Sequence, residues 1–263
     1  MSNPIFNNHA LTRSAGVQPG RQVPDMSPEQ LDALYGQASA TPVQTDRMTV
    51  EDVVVKTAIS LACVFVGAAL GLFVPLLVLP AVVATLVLSI VNTFKKKPSP
   101  ALVLTFAVSI GILAGSLSMV METRFQGIIV QALIGTAAVF VTTLVLFLNG
   151  KIRASRRATK IFTIAIIAYG LFALTNFVLT LTGVTSGMGL RGFEIFGIPL
   201  GLIIGPLVIL LGAYSLVLDF TEVQEGVRAG APRILGWRAA FGLTLTIVWL
   251  YMEIIRFLGI VRE

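Results

Sequence analysis

The sequence has little charge, one cysteine and one histidine. Only 12% of its 263 residues are charged, compared with about 25% in an ordinary soluble domain. The single cysteine, Cys63, excludes an internal disulfide, and with a single histidine, His9, the chain cannot form a Cys/His zinc cluster. Hydrophobic residues make up 56% of the chain. This composition excludes a water-soluble globule and predicts an integral membrane protein.

Intramembrane enzymes and retinal proteins need residues that the apolar part of this chain lacks. An intramembrane aspartyl protease needs two aspartates, but beyond residue 52 the chain has only Asp219. A metalloprotease or serine protease needs a histidine in the membrane, whereas His9 lies in a polar amino-terminal segment. All the lysines fall at helix ends or in loops, so none can bind retinal inside the last helix. We therefore expect neither enzymatic activity nor a bound cofactor.

Long segments without Asp, Glu, Lys or Arg dominate the rest of the sequence. They cover residues 57–94, 98–121, 125–150, 161–190, 195–218 and 239–252. A membrane-spanning helix needs about 20 apolar residues, so the first segment, with 38, holds two helices that divide near Pro75 and Pro80. The last segment, with 14, is too short, so its helix must continue through Glu253 and Arg256 to Gly259. The sequence therefore predicts an all-α integral membrane protein of seven transmembrane helices, with Glu253 inside the membrane.

The amino-terminal residues differ in composition from everything that follows. The first 46 residues contain five of the 12 prolines and many polar residues, which is typical of a disordered segment. We therefore divide the chain into a disordered cytoplasmic tail, residues 1–47, and a seven-helix transmembrane domain, residues 48–263. A short helix in the tail would place Leu31, Leu34 and Tyr35 on one face, for contact with the membrane surface or the rest of the protein. A solvated linker is the alternative.

Lysine and arginine residues are divided unequally between the two ends of the predicted helices. Thirteen fall on the side of the amino-terminal tail and four fall on the opposite side. Because positively charged loops stay in the cytoplasm, the amino terminus is predicted to be cytoplasmic and the carboxyl terminus external. The net charge of +6 is thus a topology signal, and we expect no nucleic-acid partner.

Ionisable groups within apolar helices are the candidates for function, since they are costly there without a partner or a path to water. Asp219 follows the apolar run of helix six, and Glu222 shares its face if that helix continues to about Ala229. Glu253, in helix seven, is the third candidate. A carboxylate in the headgroup region is the alternative interpretation of Asp219. An ion pair with Arg256, one turn further on, is the alternative for Glu253.

Small residues spaced four apart indicate where helices approach one another closely. Gly67 and Gly71 form such a pair in the first helix, and Gly111 and Gly115 form one in the third. We interpret these glycines as packing positions rather than as parts of a binding site.

Two segments resemble the last two helices of the Bax inhibitor family, the transmembrane Bax inhibitor motif proteins. They are residues 214–220 and 249–256. The likeness extends over roughly residues 50–260 and includes the seven-helix count and the basic clusters. The segments 2–6, 48–53 and 228–232 further resemble a branch of the family found in high-GC Gram-positive bacteria.

The resemblance implies a bacterial plasma-membrane protein whose seventh helix is central and wrapped by the other six. It also implies a pH-sensitive calcium leak, in which an aspartate of helix six and an acid of helix seven share a proton. The matching residues are Asp219 and Glu253, which would bind Ca²⁺ transiently. Lys95 and Lys96, at the cytoplasmic end of helix two, would be alternative partners of an ionised Asp219. Two close carboxylates cannot both ionise readily, so protonation would act as the gate.

The chain departs from the family pattern in helix seven. The acid there is a glutamate rather than an aspartate, and Gly259 follows six residues later. Antiparallel pairing of the two helices places Asp219 opposite Ile247, six residues short of Glu253. At 1.5 Å per residue this offset is roughly 9 Å. Two separate acidic positions along one path are therefore the alternative to a direct carboxyl pair.

Two other classes of function stay open at this point. One is an interaction protein that modulates a membrane protease or a stress response through its tail. The other is a proton-coupled transporter, although the sequence shows no clear internal repeat of the kind typical of such transporters. The expected partners are the lipid bilayer, calcium ions and, for the first alternative, another membrane protein.

Overall fold

The computed structural model describes residues 46–185 and 189–263. Seven long helices account for most of them: α1 Val50–Phe73, α2 Val78–Phe94, α3 Pro100–Arg124, α4 Ile128–Leu148, α5 Arg156–Leu181, α6 Leu200–Arg228 and α7 Gly236–Val261. Each is apolar enough to cross a membrane, α2 and α7 together with the 3₁₀ turns that precede them. The predicted all-α fold of seven membrane-spanning helices is therefore confirmed. The tail face formed by Leu31, Leu34 and Tyr35 lies outside the described residues.

Short irregular elements join the helices where the sequence breaks its apolar runs. A 3₁₀ turn, Pro75–Leu77, separates α1 from α2, and Pro80 falls in the first turn of α2, where a missing N–H is tolerated. Between α5 and α6 lie a 3₁₀ turn, Gly189–Gly192, and an antiparallel hairpin of β1 Glu194–Ile195 with β2 Ile198–Pro199. This hairpin, which the sequence did not predict, is an addition to the otherwise helical fold.

The helix boundaries follow from local capping and from the continuation of apolar faces. Thr49 caps α1, since its hydroxyl accepts a hydrogen bond of 3.1 Å from the Asp52 amide. Helix α6 ends at Arg228, one residue before the predicted end, and α7 continues through Glu253 to Val261. Glu253 is thus part of the last membrane-spanning helix, as the short uncharged run before it predicted.

Helix α7 is the centre of the molecule. It has more buried residues than any other helix and packs directly on α1, α3, α4 and α6. Helix α5 has no buried residue and packs on α6, while α2 packs on α3. Because residues of α7 face other helices on most sides, the acid it carries is shielded from lipid by protein.

Helices α1 and α3 touch through their backbones. A Cβ atom added to Gly67 or Gly71 would overlap the carbonyl oxygen of Val108 or Ile112 in α3. The same relation holds in reverse for Gly111 and Gly115, which face carbonyls of α1. The predicted packing role of these four glycines is therefore confirmed.

Candidate functional site

Asp219 lies at the contact between α6 and α7, opposite a glycine. A Cβ atom added to Gly242 would be 3.2 Å from Asp219 Oδ1, so the glycine lets the carboxyl group pack closely against the α7 backbone. Thr246, one turn further along α7, neighbours the same carboxyl group. The other oxygen, Oδ2, is buried and has no hydrogen-bond partner among the described residues. Within the same part of the chain no lysine or arginine forms an ion pair with Asp219.

Glu253 is buried in a network of compensating groups. Its carboxylate is 1% exposed, and Oε1 accepts hydrogen bonds from the Tyr169 hydroxyl at 2.6 Å and from Arg256 at 2.8 Å. Oε2 accepts from Arg191 at 2.9 Å, and the Arg191 guanidinium also donates to the Tyr169 hydroxyl. Two cations therefore contact one buried carboxylate, so the negative charge of Glu253 has the partners that a charge inside a membrane requires.

The partners of Glu253 come from three different elements. Arg256 is one turn further along α7, in the ion pair that the sequence spacing offered as the alternative interpretation. Tyr169 reaches across from α5 and packs on Trp249, with 6.0 Å between ring centroids. Arg191 belongs to the 3₁₀ turn before α6 and is itself 7% exposed. The contact of Arg191 with Glu253 was not predicted, although Arg191 ends a long uncharged run on the side with few positive charges. Tyr169 forms an interhelical hydrogen bond, as expected of a polar residue within an apolar helix.

The structure does not bring Asp219 and Glu253 together. Asp219 faces Gly242, and Glu253 is eleven residues further along α7, about 16 Å at 1.5 Å per residue. Both oxygens of Glu253 are engaged by Tyr169 and two arginines. The direct carboxyl pair implied by the resemblance is therefore not formed, and the acids occupy separate positions. Among the described residues, no three His, Cys, Asp or Glu side chains form a cluster able to hold a metal ion.

Among the described residues, none of the other predicted site residues forms an ion pair with Asp219. The side chains of Lys95 and Lys96 are exposed and form no ion pair in the described segments, so they do not hold Asp219 here. Their carbonyl oxygens instead accept hydrogen bonds from Arg238 of α7, at 2.7 Å and 3.3 Å. Glu222 is exposed on α6, one turn beyond Asp219.

A third charged cluster fastens the start of α1 to the connection between α6 and α7. Asp52 forms ion pairs with Lys56 and, at 2.9 Å, with Arg233. Lys56 also donates to the Arg233 carbonyl at 2.7 Å and lies 5.6 Å from the centre of the Trp237 ring. Beside this cluster the Met48 amide donates to the Ala231 carbonyl at 2.8 Å. The cluster was not predicted, because its partners are about 180 residues apart in sequence.

Comparison with known proteins agrees with this architecture. A family model described as Bax inhibitor 1 like matches residues 3–263, nearly the whole chain. Comparison with curated proteins gave no match. The seven apolar spans place the chain in a lipid bilayer as a multi-pass membrane protein. The chain therefore belongs to the Bax inhibitor 1-like family.

Proposed function

We propose that this protein is a pH-sensitive cation leak that conducts calcium and is gated by the acids of α6 and α7. The observation that carries the proposal is Asp219: a carboxyl group inside a membrane-spanning helix, with one buried oxygen unbonded within the described residues. A carboxylate is kept in such a place when it has a partner or a path to water. Since no basic side chain of the described part is paired with it, a passing cation is the partner that fits.

Protonation of Asp219 removes its electrostatic attraction for cations. The ionised carboxylate offers oxygen ligands, which Ca²⁺ prefers, and its Oδ2 atom has no hydrogen-bond partner among the described residues. The protonated form carries no charge and leaves the ion without compensation in a medium of low dielectric constant. Calcium flux therefore decreases as the pH falls and increases as Asp219 ionises.

The Glu253 network acts as a second barrier at the opposite end of α7. While Arg191 and Arg256 hold its carboxylate, Glu253 cannot ligate a cation, and the two guanidinium groups repel one. Conduction then requires the network to open, by movement of the turn that carries Arg191. The closed and the opened network are the two arrangements that a gated path needs.

The assignment of Asp219 is tested with purified full-length protein in liposomes that contain a calcium-sensitive dye. We expect Asp219→Asn, which mimics the protonated state, to give a low calcium flux that no longer changes with pH. Glu225→Gln is the matched control, because this residue is an exposed acid of the same helix. A pH response that survives Asp219→Asn would contradict the proposed gate.

A further inference from the structure

A groove about 890 Å³ in volume runs along the outside of the helix bundle, between α1 and α4. Residues of α3, α6 and α7 form its floor. It extends from Val50, the first residue of α1, to Leu72, near its last, which is about 33 Å along the helix. This length matches the hydrocarbon thickness of a bilayer, about 30 Å. The volume is within the range of roughly 300–1,000 Å³ that is usual for ligand sites.

The walls of the groove are apolar and stay apart because each packs elsewhere. Helix α1 is fixed to α3 by the glycine contacts, and α4 packs on α6 and α7. Two polar groups that line the groove are used internally: Ser118, on the floor, bonds Tyr251 at 2.6 Å, and Thr136, on the α4 wall, bonds a carbonyl of its own helix at 2.7 Å. The groove thus offers apolar contact to a ligand on three sides. The hydroxyl groups of Ser118 and Thr136 are already bonded within the protein.

One end of the groove is polar and positively charged. There it meets a second pocket of about 340 Å³, with which it shares Val227 and Arg228. Arg47 also lines the second pocket, and the lining of the two pockets contains no Asp or Glu. Neither Arg47 nor Arg228 forms an ion pair within residues 46–185 and 189–263. Two uncompensated guanidinium groups at the end of an apolar groove suit a ligand with an anionic head and an apolar chain.

We propose that the groove and the adjoining pocket form one binding site for a membrane phospholipid with an anionic headgroup. An acyl chain lies between α1 and α4, and the phosphate lies in the pocket lined by Arg47 and Arg228. An acyl chain in the groove gains contacts on three sides, whereas a chain on an exposed helix face gains them on one. This is also the end that the charge distribution predicts to be cytoplasmic, where bilayers carry anionic lipids.

The site is tested by native mass spectrometry of the full-length protein, extracted from vesicles of equal phosphatidylglycerol and phosphatidylcholine with identical acyl chains. We expect the wild type to retain phosphatidylglycerol over phosphatidylcholine by at least about fivefold, since one arginine near a membrane surface contributes about that factor. The double variant Arg47→Gln with Arg228→Gln should lose this preference. Arg157→Gln, an exposed arginine that lines neither pocket, should keep it.

The apolar part of the site is tested by filling the groove. Ala137→Trp, on α4, should reduce the retention of both lipids, and Ala58→Trp, on α1, is the second variant if the first does not fold. Ala168→Trp is the matched control, on the exposed face of α5. Equal retention of the two lipids by the wild type, or unchanged retention in the groove variants, would overturn the proposal. A wild-type monomer without bound lipid would also overturn the proposal. A dimer without bound lipid would overturn it as well and would indicate that a second copy of the chain fills the groove.

Discussion

Two carboxylates of neighbouring helices have opposite environments in this protein. Glu253 is buried with two arginines and a tyrosine, whereas Asp219 faces a glycine and keeps an unbonded oxygen among the described residues. A buried ion network of this kind fixes the positions of its members, since removing one partner leaves the others uncompensated. In the proposed function, Glu253 therefore holds the bundle closed and Asp219 interacts with cations.

Loss of the Glu253 charge should destabilise the protein. Glu253→Gln leaves Arg191 and Arg256 without a counter-charge, and breaking a buried ion pair typically costs about 3–5 kcal/mol. We expect a clearly lower melting temperature for the detergent-solubilised variant. Glu194→Gln, an exposed acid in the hairpin before α6, is the control and should melt like the wild type. Equal melting temperatures of the wild type, Glu253→Gln and Glu194→Gln would show that the network contributes nothing to stability.

Residue-scale contacts were predictable from the sequence only where they are local. The Glu253–Arg256 pair follows from a spacing of three on a helix, and both acids stand out at the ends of apolar runs. Arg191 is 62 residues from Glu253, and its contact depends on how the turn before α6 folds back. The direct Asp219–Glu253 pair was implied by the family resemblance, whereas the register of α6 against α7 separates them.

At the scale of the helices, the contact of α1 with α3 carries the most specific packing. Gly67, Gly71, Gly111 and Gly115 let two backbones approach where lipid provides no hydrophobic drive for association. Their spacing of four made this contact predictable from the sequence. Which helix would face which was not predictable, because large apolar residues occur on the exposed sides of these helices as well as on the buried ones.

A methyl group at this contact should weaken the bundle. In Gly67→Ala the new Cβ overlaps the Val108 carbonyl oxygen, which belongs to backbone and cannot move aside. Overpacking of this type costs about 1–3 kcal/mol. Gly170→Ala in α5 is the matched control, since a Cβ there has nothing within 4 Å. Thermal unfolding in detergent measures both variants, and an equal change in the two would rule out tight backbone contact at Gly67.

For the whole molecule, the number of spans follows from the lengths of the uncharged runs, and the central position of the last helix was implied by the family resemblance. The unequal loop charges predict that the amino terminus and the loop between α4 and α5 are cytoplasmic. The groove, the Asp52 cluster and the Glu253 network were not predictable, because each joins parts of the chain that lie far apart in sequence.

The predicted orientation can be tested by cysteine labelling. In a Cys63→Ala background, Lys151→Cys and Glu194→Cys place exposed thiols before α5 and after it. We expect a membrane-impermeant maleimide to label Glu194→Cys on intact cells and Lys151→Cys only after the membrane is opened. The reverse labelling pattern would show that the chain has the opposite orientation in the membrane.

As a whole, the protein is proposed to conduct calcium under the control of protonation. The most direct measurement is calcium entry into dye-loaded liposomes that contain the purified wild-type protein, followed from acidic to alkaline pH against protein-free liposomes. We expect a flux above that of the protein-free liposomes, which increases with pH as Asp219 ionises. A flux equal to that of the protein-free liposomes at every pH would contradict the leak and favour an interaction protein.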